Sequence, residues 1–151
     1  MARTAITSTG APAAIGPYSQ AVRAGDLLFV SGQVPIDPET GQLIDGGVAA
    51  QTHRVLRSLD AIVRAAGATF DDVVKTTVYL ANMNDFVTMN RAYATWFAEP
   101  APARAAVEVA RLPKDAQIEI DAIVRLPGCP CCCPPAHALG GAGARAVGER
   151  A

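Results

Sequence analysis

The 151-residue chain is 50% hydrophobic and 18% charged, with 13 Lys+Arg against 14 Asp+Glu and a formal net charge of −1. That composition supports a core and argues against global disorder, while the charge balance offers no footprint for nucleic acid or an anionic membrane. No apolar run approaches the roughly 20 residues of a bilayer span, and the opening residues do not pattern as a secretory leader, so the cytoplasm is the expected location.

Residues 1–14 are small and polar and read as a loose arm or a first edge strand. Gly16-Pro17 is turn punctuation. Tyr18 follows it directly, and its local context favours a core aromatic with a satisfied hydroxyl. Ala21 to Val34 reads as a hairpin about Gly25-Asp26. Leu27 to Val30 is apolar on both faces, so this strand calls for two covers, helices on one side and a partner subunit on the other. Ser31-Gly32 ends it, placing a hydroxyl and a bare backbone at the strand mouth. Pro35 to Gly47 is a turn-rich loop that lacks the pattern of a phosphate cradle.

Val48 to Ala66 is an amphipathic helix. Val55, Leu56, Leu59, Ile62 and Val63 share its apolar stripe, Gln51, Arg54, Arg57 and Arg64 lie largely opposite, and Gly67 is the stop. His53, with no second histidine nearby, reads as solvated rather than as a metal ligand. Val73 to Leu80 is β-branched and reads as a strand. Asn84 or Asp85 caps a second helix reaching about Phe97. Phe86, Met89, Tyr93, Trp96 and Phe97 form its buried face, with Asn90 at the edge as a solvated polar residue.

Pro102 to Asp121 holds two short strands joined by a Leu112-Pro113-Lys114-Asp115 turn, the second running to about Leu126. Alternation sends Val107, Val109, Ile118 and Ile120 to a core and leaves Arg104, Glu108, Glu119 and Asp121 to point the other way. An arginine at a strand mouth with a carboxylate on a nearby strand can grip an anion and handle a proton. Spacing alone favours the plainer surface ion pair. From Pro127 the chain turns Gly-, Ala- and Pro-rich, with all four cysteines between Cys129 and Cys133. This crowding matches no ordinary zinc spacing. The expected division is therefore a domain over 1–126 and a flexible tail over 127–151. The element order is hairpin, helix, strand, helix, strand, strand, which defines an α+β class with helices on one face of a largely antiparallel or mixed sheet.

Five runs in order carry a resemblance: Ile15 to Ala21, Phe29 to Pro35, Val74 to Leu80, Met83 to Phe86 with Asn90 and Tyr93, and Pro102-Ala103-Arg104 through Val107 to Asp115 and on to Ile118-Glu119-Ile120. Together they closely resemble the Rid (reactive-intermediate deaminase, YjgF-type) family, most closely its RidA branch, over about residues 13–126. The resemblance implies a chorismate-mutase-like (bacillus-type) domain with a mixed, mostly antiparallel sheet and two helices on one face. It implies a homotrimer with ligand clefts between subunits. The implied activity is hydrolysis of reactive 2-imino acids to 2-keto acids and ammonia, with no cofactor, no metal, and neither nucleic acid nor membrane as partner.

Carried over position by position, Arg104 matches the family's carboxylate-binding arginine, for which a bidentate guanidinium suits. Glu119 matches the acidic residue that orients or activates water. Tyr18, Ser31 and Asn90 match cleft positions, Gly32 lies on the cleft wall, and the backbone N–H of Ala106 matches a ligand contact. Ala105 and Ala106 stand where many members carry Ser followed by Cys or Ala, which removes a hydroxyl and a thiol while leaving the backbone donor. Glu108 competes as partner of Arg104, and Asp121 competes with Glu119. A non-catalytic module that binds small carboxylates or acts as a chaperone-like partner is the alternative on the same fold. RNA cleavage is disfavoured by the mildly acidic composition.

Overall fold

The computed structural model describes residues 3–128, so the expectations for Cys129 to Cys133 and most of the tail lie outside the described residues. Six strands form one sheet: β1 (Thr4–Ile6), β2 (Ala21–Ala24), β3 (Leu27–Gln33), β4 (Val73–Leu80), β5 (Ala103–Glu108) and β6 (Ile118–Arg125). Their lateral order is β1-β2-β3-β6-β4-β5, antiparallel throughout except for the parallel pair β4 and β5. The helices are α1 (Val48–Ala65) and α2 (Phe86–Ala94). The expected mixed α+β class with two helices is therefore observed.

Each element follows from local chemistry. The hairpin of β2 and β3 turns at Gly25, whose φ of 66° suits a residue without a Cβ. The end of α1 closes as a Schellman motif: Gly67 N–H donates to Arg64 O at 3.0 Å, and Ala68 N–H donates to Val63 O at 3.2 Å. β4 and β5 run parallel because α2 lies between them as the crossover.

The core sits between the sheet and the helices. Leu56, Leu59 and Ile62 of α1 and Met89 of α2 meet Leu28, Val78, Leu80, Ile118, Ile120 and Val124 of the sheet, all fully buried. Burial of each such side chain is worth about 1.5–3 kcal/mol. Two buried threonine hydroxyls in this layer are satisfied, whereas Arg54 Nε and Asp60 Oδ1 on α1 have no hydrogen-bond partner among the described residues. Thr52 Oγ1 donates to Val48 O at 2.6 Å, and Thr76 Oγ1 and Tyr93 Oη share a 2.7 Å bond.

Several local expectations change. β5 and β6 are not neighbours, because β4 lies between them. Val107 is 41% exposed rather than in the core. It pairs with Tyr79, on the sheet face away from the helices. α2 ends at Ala94 rather than near Phe97, and Asp85, one of the two expected caps, holds the N-cap position without a side-chain capping bond. Asn82 Oδ1 accepts from Asn84 N–H at 3.0 Å and caps the helical turn Met83–Asp85 ahead of α2. Gln51 is buried, its Oε1 accepting from Gln117 N–H at 2.9 Å. His53 is half-buried, with Nδ1 accepting from Trp96 Nε1–H at 2.9 Å.

Candidate functional site

The residues singled out in the sequence fall into two groups on opposite faces of the sheet. Ile120 pairs with Val78, and both are fully buried against the helices. Glu119, one residue earlier, pairs with Tyr79 and therefore projects from the open face. Arg104 pairs with Thr76, whose side chain faces α2, so Arg104 projects from the helix-bearing face at the edge strand. This corrects the expectation that Arg104, Glu108, Glu119 and Asp121 share one face. Alternation is faithful within each strand, but β4 between the two strands sets their relative phase.

The Glu119 group gathers Tyr18, Ser31, Gly32 and Glu119 around a cleft of about 490 Å³. Tyr18 is 51% exposed and lines this cleft, so it is no core aromatic. Ser31 Oγ donates to Ser19 O at 2.7 Å, which fastens the segment bearing Tyr18 to the end of β3. With its proton committed there, Ser31 Oγ can only accept from a group in the cleft. Gly32 sits where the register between β3 and β6 shifts, between Val30 and Gln33. A Cβ on Gly32 would meet Glu119 Cδ at 2.8 Å and collide with Glu119 Oε1. The bare backbone is what lets the carboxylate lie across the strand.

Burial, followed by the nearby charge of Asp121, raises the Glu119 carboxyl above the ordinary carboxylate range. Asp121 is occupied elsewhere. Its Oδ2 accepts from Tyr79 Oη–H at 2.9 Å and its Oδ1 from Thr77 N–H at 3.2 Å. Of the two competing acids, Glu119 is the one that faces the cleft without a hydrogen bond to its carboxylate among the described residues.

The Arg104 group lies in a second cleft of about 340 Å³ with Asn90, Tyr93, Phe97 and Glu99. Asn90 is half-buried on α2 and faces this cleft rather than bulk solvent. The Arg104 guanidinium carbon lies 4.6 Å from the Tyr93 ring centre and 5.6 Å from that of Phe86. Glu108 does not pair with it, because Glu108 Oε2 accepts from Met83 N–H at 2.6 Å. Ala106 is half-buried two residues along the same strand, in register with Val78.

Arg104 and Glu119 do not form the surface ion pair that spacing favoured, since the described residues contain only the pairs Arg64–Asp60 and Arg111–Asp115. Two strand spacings separate them, about 10 Å, and three residues of strand length add about 10 Å at right angles. A small acid bridging both within one chain would have to pass through β4.

Some cleft residues were not singled out from the sequence. Lys114 lines the Glu119 cleft with a φ of 56°, and its Nζ donates to Gly41 O at 2.8 Å. Its signal was the Leu-Pro-Lys-Asp turn. Ile15, Pro12 and Ala13 wall the same cleft. Among the described residues, no three His, Cys, Asp or Glu side chains gather where a metal ion could be held.

The site thus consists of a mixed α+β sheet carrying an acid without a hydrogen-bond partner in one cleft and an aromatic-backed arginine in another. Residues 8–126 match the family described as Endoribonuclease L-PSP, and the chain belongs to this YjgF/Rid family. It is 56% identical over 118 residues to a RutC family protein of Pyrococcus horikoshii, covering 78% of this chain and 94% of that one. It is 53% identical over 121 residues to the mouse protein named 2-iminobutanoate/2-iminopropanoate deaminase, covering 80% of this chain and 90% of that one. A crystal structure of a Rid-family protein of unknown function from Yersinia pestis superimposes with a TM-score of 0.81 at 44% identity, covering 83% of this chain and all of that one.

Proposed function

We propose that the protein hydrolyses reactive 2-imino acids to 2-keto acids and ammonia, at sites completed by a second copy of the chain. The observation that carries this is the split of the candidate residues. Glu119, Tyr18, Ser31 and Gly32 line one cleft and Arg104 and Asn90 another, on opposite sheet faces. The open face also presents Phe29, 45% exposed, and Val107. Cover for that face from other copies, in a closed homotrimer, would bring an Arg104 group of one protomer against a Glu119 group of its neighbour. Relatives of mouse, rat, human and cattle at about half identity, all named 2-iminobutanoate/2-iminopropanoate deaminase, support the same reading.

In this account the Arg104 fork pairs with the substrate carboxylate. Ser31 Oγ accepts a hydrogen bond from the iminium N–H. Glu119 takes a proton from a water as that water adds to the imine carbon, then returns it to the nitrogen. As the C–N bond breaks and the C=O bond forms, Glu119 takes the remaining hydroxyl proton and passes it to the departing ammonia, so a protonated imine plus water becomes a ketone plus ammonium. A carboxyl raised above its usual range suits both the acceptance and the return of that proton.

The test couples purified protein to a threonine dehydratase with semicarbazide present to trap free imine. Wild type should divert 2-iminobutanoate from the trap, and Arg104→Ala should not. Arg104→Lys should lose most activity with the fold intact, because an ammonium cannot make the bidentate pair. Imine decay unchanged by wild-type protein would overturn the reading, and ligand binding without turnover would point to a binding module.

A further inference from the structure

Two rings hold Arg104, and no carboxylate does. Among the described residues Arg104 joins no ion pair. Tyr93 and Phe86, both on α2, pack against its guanidinium. A ring face attracts the cation through its quadrupole while leaving the in-plane N–H donors available, whereas an ion pair would occupy them.

Tyr93 is itself locked. Its hydroxyl shares a 2.7 Å hydrogen bond with Thr76 Oγ1, and Thr76 is the register partner of Arg104 on β4. Phe97 packs on the Tyr93 ring at 4.5 Å, and Phe70 stacks on Phe97 at 4.8 Å. β4, the strand paired with the one that carries the arginine, and the helix that carries the ring are thus tied through one buried hydroxyl pair. A carboxylate stands within the same cleft as well: Glu99, which among the described residues is held only by a 3.4 Å bond from Ala101 N–H.

We propose that Tyr93, with Phe86, is a positioning residue that holds the Arg104 fork extended and unpaired, away from Glu99 and ready for a substrate carboxylate. The proposal rests on the reading of Arg104 as the carboxylate-binding group. Tyr93 acts through Arg104, so its loss weakens substrate capture and leaves the chemical step at Glu119 nearly untouched.

The test titrates 2-oxobutanoate, an unreactive keto acid, by calorimetry into full-length wild type, Tyr93→Phe, Tyr93→Leu and Phe86→Leu, with kcat from the coupled deaminase assay alongside. Tyr93→Phe keeps the ring and should bind within about two-fold of wild type. Tyr93→Leu and Phe86→Leu should each weaken binding by roughly five- to thirty-fold, with kcat held within about three-fold. Adding Glu99→Gln to Tyr93→Leu should recover part of the affinity, which a merely structural defect would not allow. Should Tyr93→Leu fail to fold, Phe86→Leu decides alone. Unchanged affinity in the leucine variants, or lost kcat at unchanged affinity, would overturn the proposal while leaving an active wild type as a deaminase. Ring-dependent binding in a wild type that does not deaminate would sink the deaminase reading and keep this inference. Absence of wild-type binding would sink the inference.

Discussion

The carboxyl group of Glu119 lies directly over the backbone of Gly32, close enough that a Cβ there would meet Glu119 Cδ at 2.8 Å. The obstacle is the end of a flexible side chain rather than backbone, so Gly32→Ala should swing the carboxylate aside at small cost to the fold. We expect a stability change within about 1 kcal/mol and a fall in kcat of at least about ten-fold from the misplaced acid. Denaturant midpoints and the coupled assay on the same preparation check both. Equal losses of stability and activity would mean that the contact is packing alone.

Under the proposed mechanism the elevated Glu119 carboxyl sets the acid side of the pH profile. As the base toward water it must be ionised, so activity rises with pH through its raised value. Burial is the larger cause and the Asp121 charge the second. Asp121→Asn removes that charge, and an amide oxygen can still accept from Tyr79. The acid limb of kcat/KM should therefore move to lower pH. The stability sign is the opposite. A carboxyl raised in the folded state stabilises fully below its unfolded value, and that contribution is lost as pH rises through the folded one. Glu119→Gln should thus gain stability relative to wild type as pH rises through the Glu119 titration, which thermal melts across that range would show. A parallel offset at every pH would contradict it.

Gln20 ties the amino-terminal arm to the cleft. Its Nε2 donates to Ser8 O at 3.1 Å, Ala11 O at 3.2 Å and Pro12 O at 2.7 Å, and its Oε1 accepts from Ser8 N–H at 2.7 Å. Gln20→Ala leaves these groups without their partner and should cost about 1–3 kcal/mol. Because Pro12, Ala13 and Ile15 wall the Glu119 cleft, hydrogen exchange should quicken at residues 8–11 and KM should rise. Protection of the arm equal to wild type would refute this role.

Phe29 pairs with Ile123 on the sheet face opposite the helices and is 45% exposed there. If copies of the chain cover that face, Phe29→Asp places a charge in an apolar interface. Light scattering should then report a smaller species than wild type, and activity should fall with it. Wild-type size and activity in this variant would count against assembly through the open face.

The helices, the hairpin and the buried positions Ile118 and Ile120 were legible because each is written in local periodicity. The relation between Arg104 and Glu119 was not. A period of two says which residues alternate but not which face a distant strand presents, and β5 is too rich in alanine to signal its buried side. The choice between Glu119 and Asp121 was equally closed to local reading, since both lie on one strand face. Tyr79, 42 residues away from Asp121, decides it by occupying Asp121. Gln51 and His53 looked like members of a solvated stripe because their partners, Gln117 and Trp96, come from distant elements.

The central claim is that one chain contributes the arginine and another the acid. Its most direct test mixes Arg104→Ala and Glu119→Gln subunits by co-refolding, each variant inactive alone. If the sites lie between copies in a closed ring, random one-to-one assembly restores an intact site at about a quarter of interfaces, and the mixture should recover about that fraction of wild-type activity. No recovery from demonstrably mixed assemblies would contradict the account.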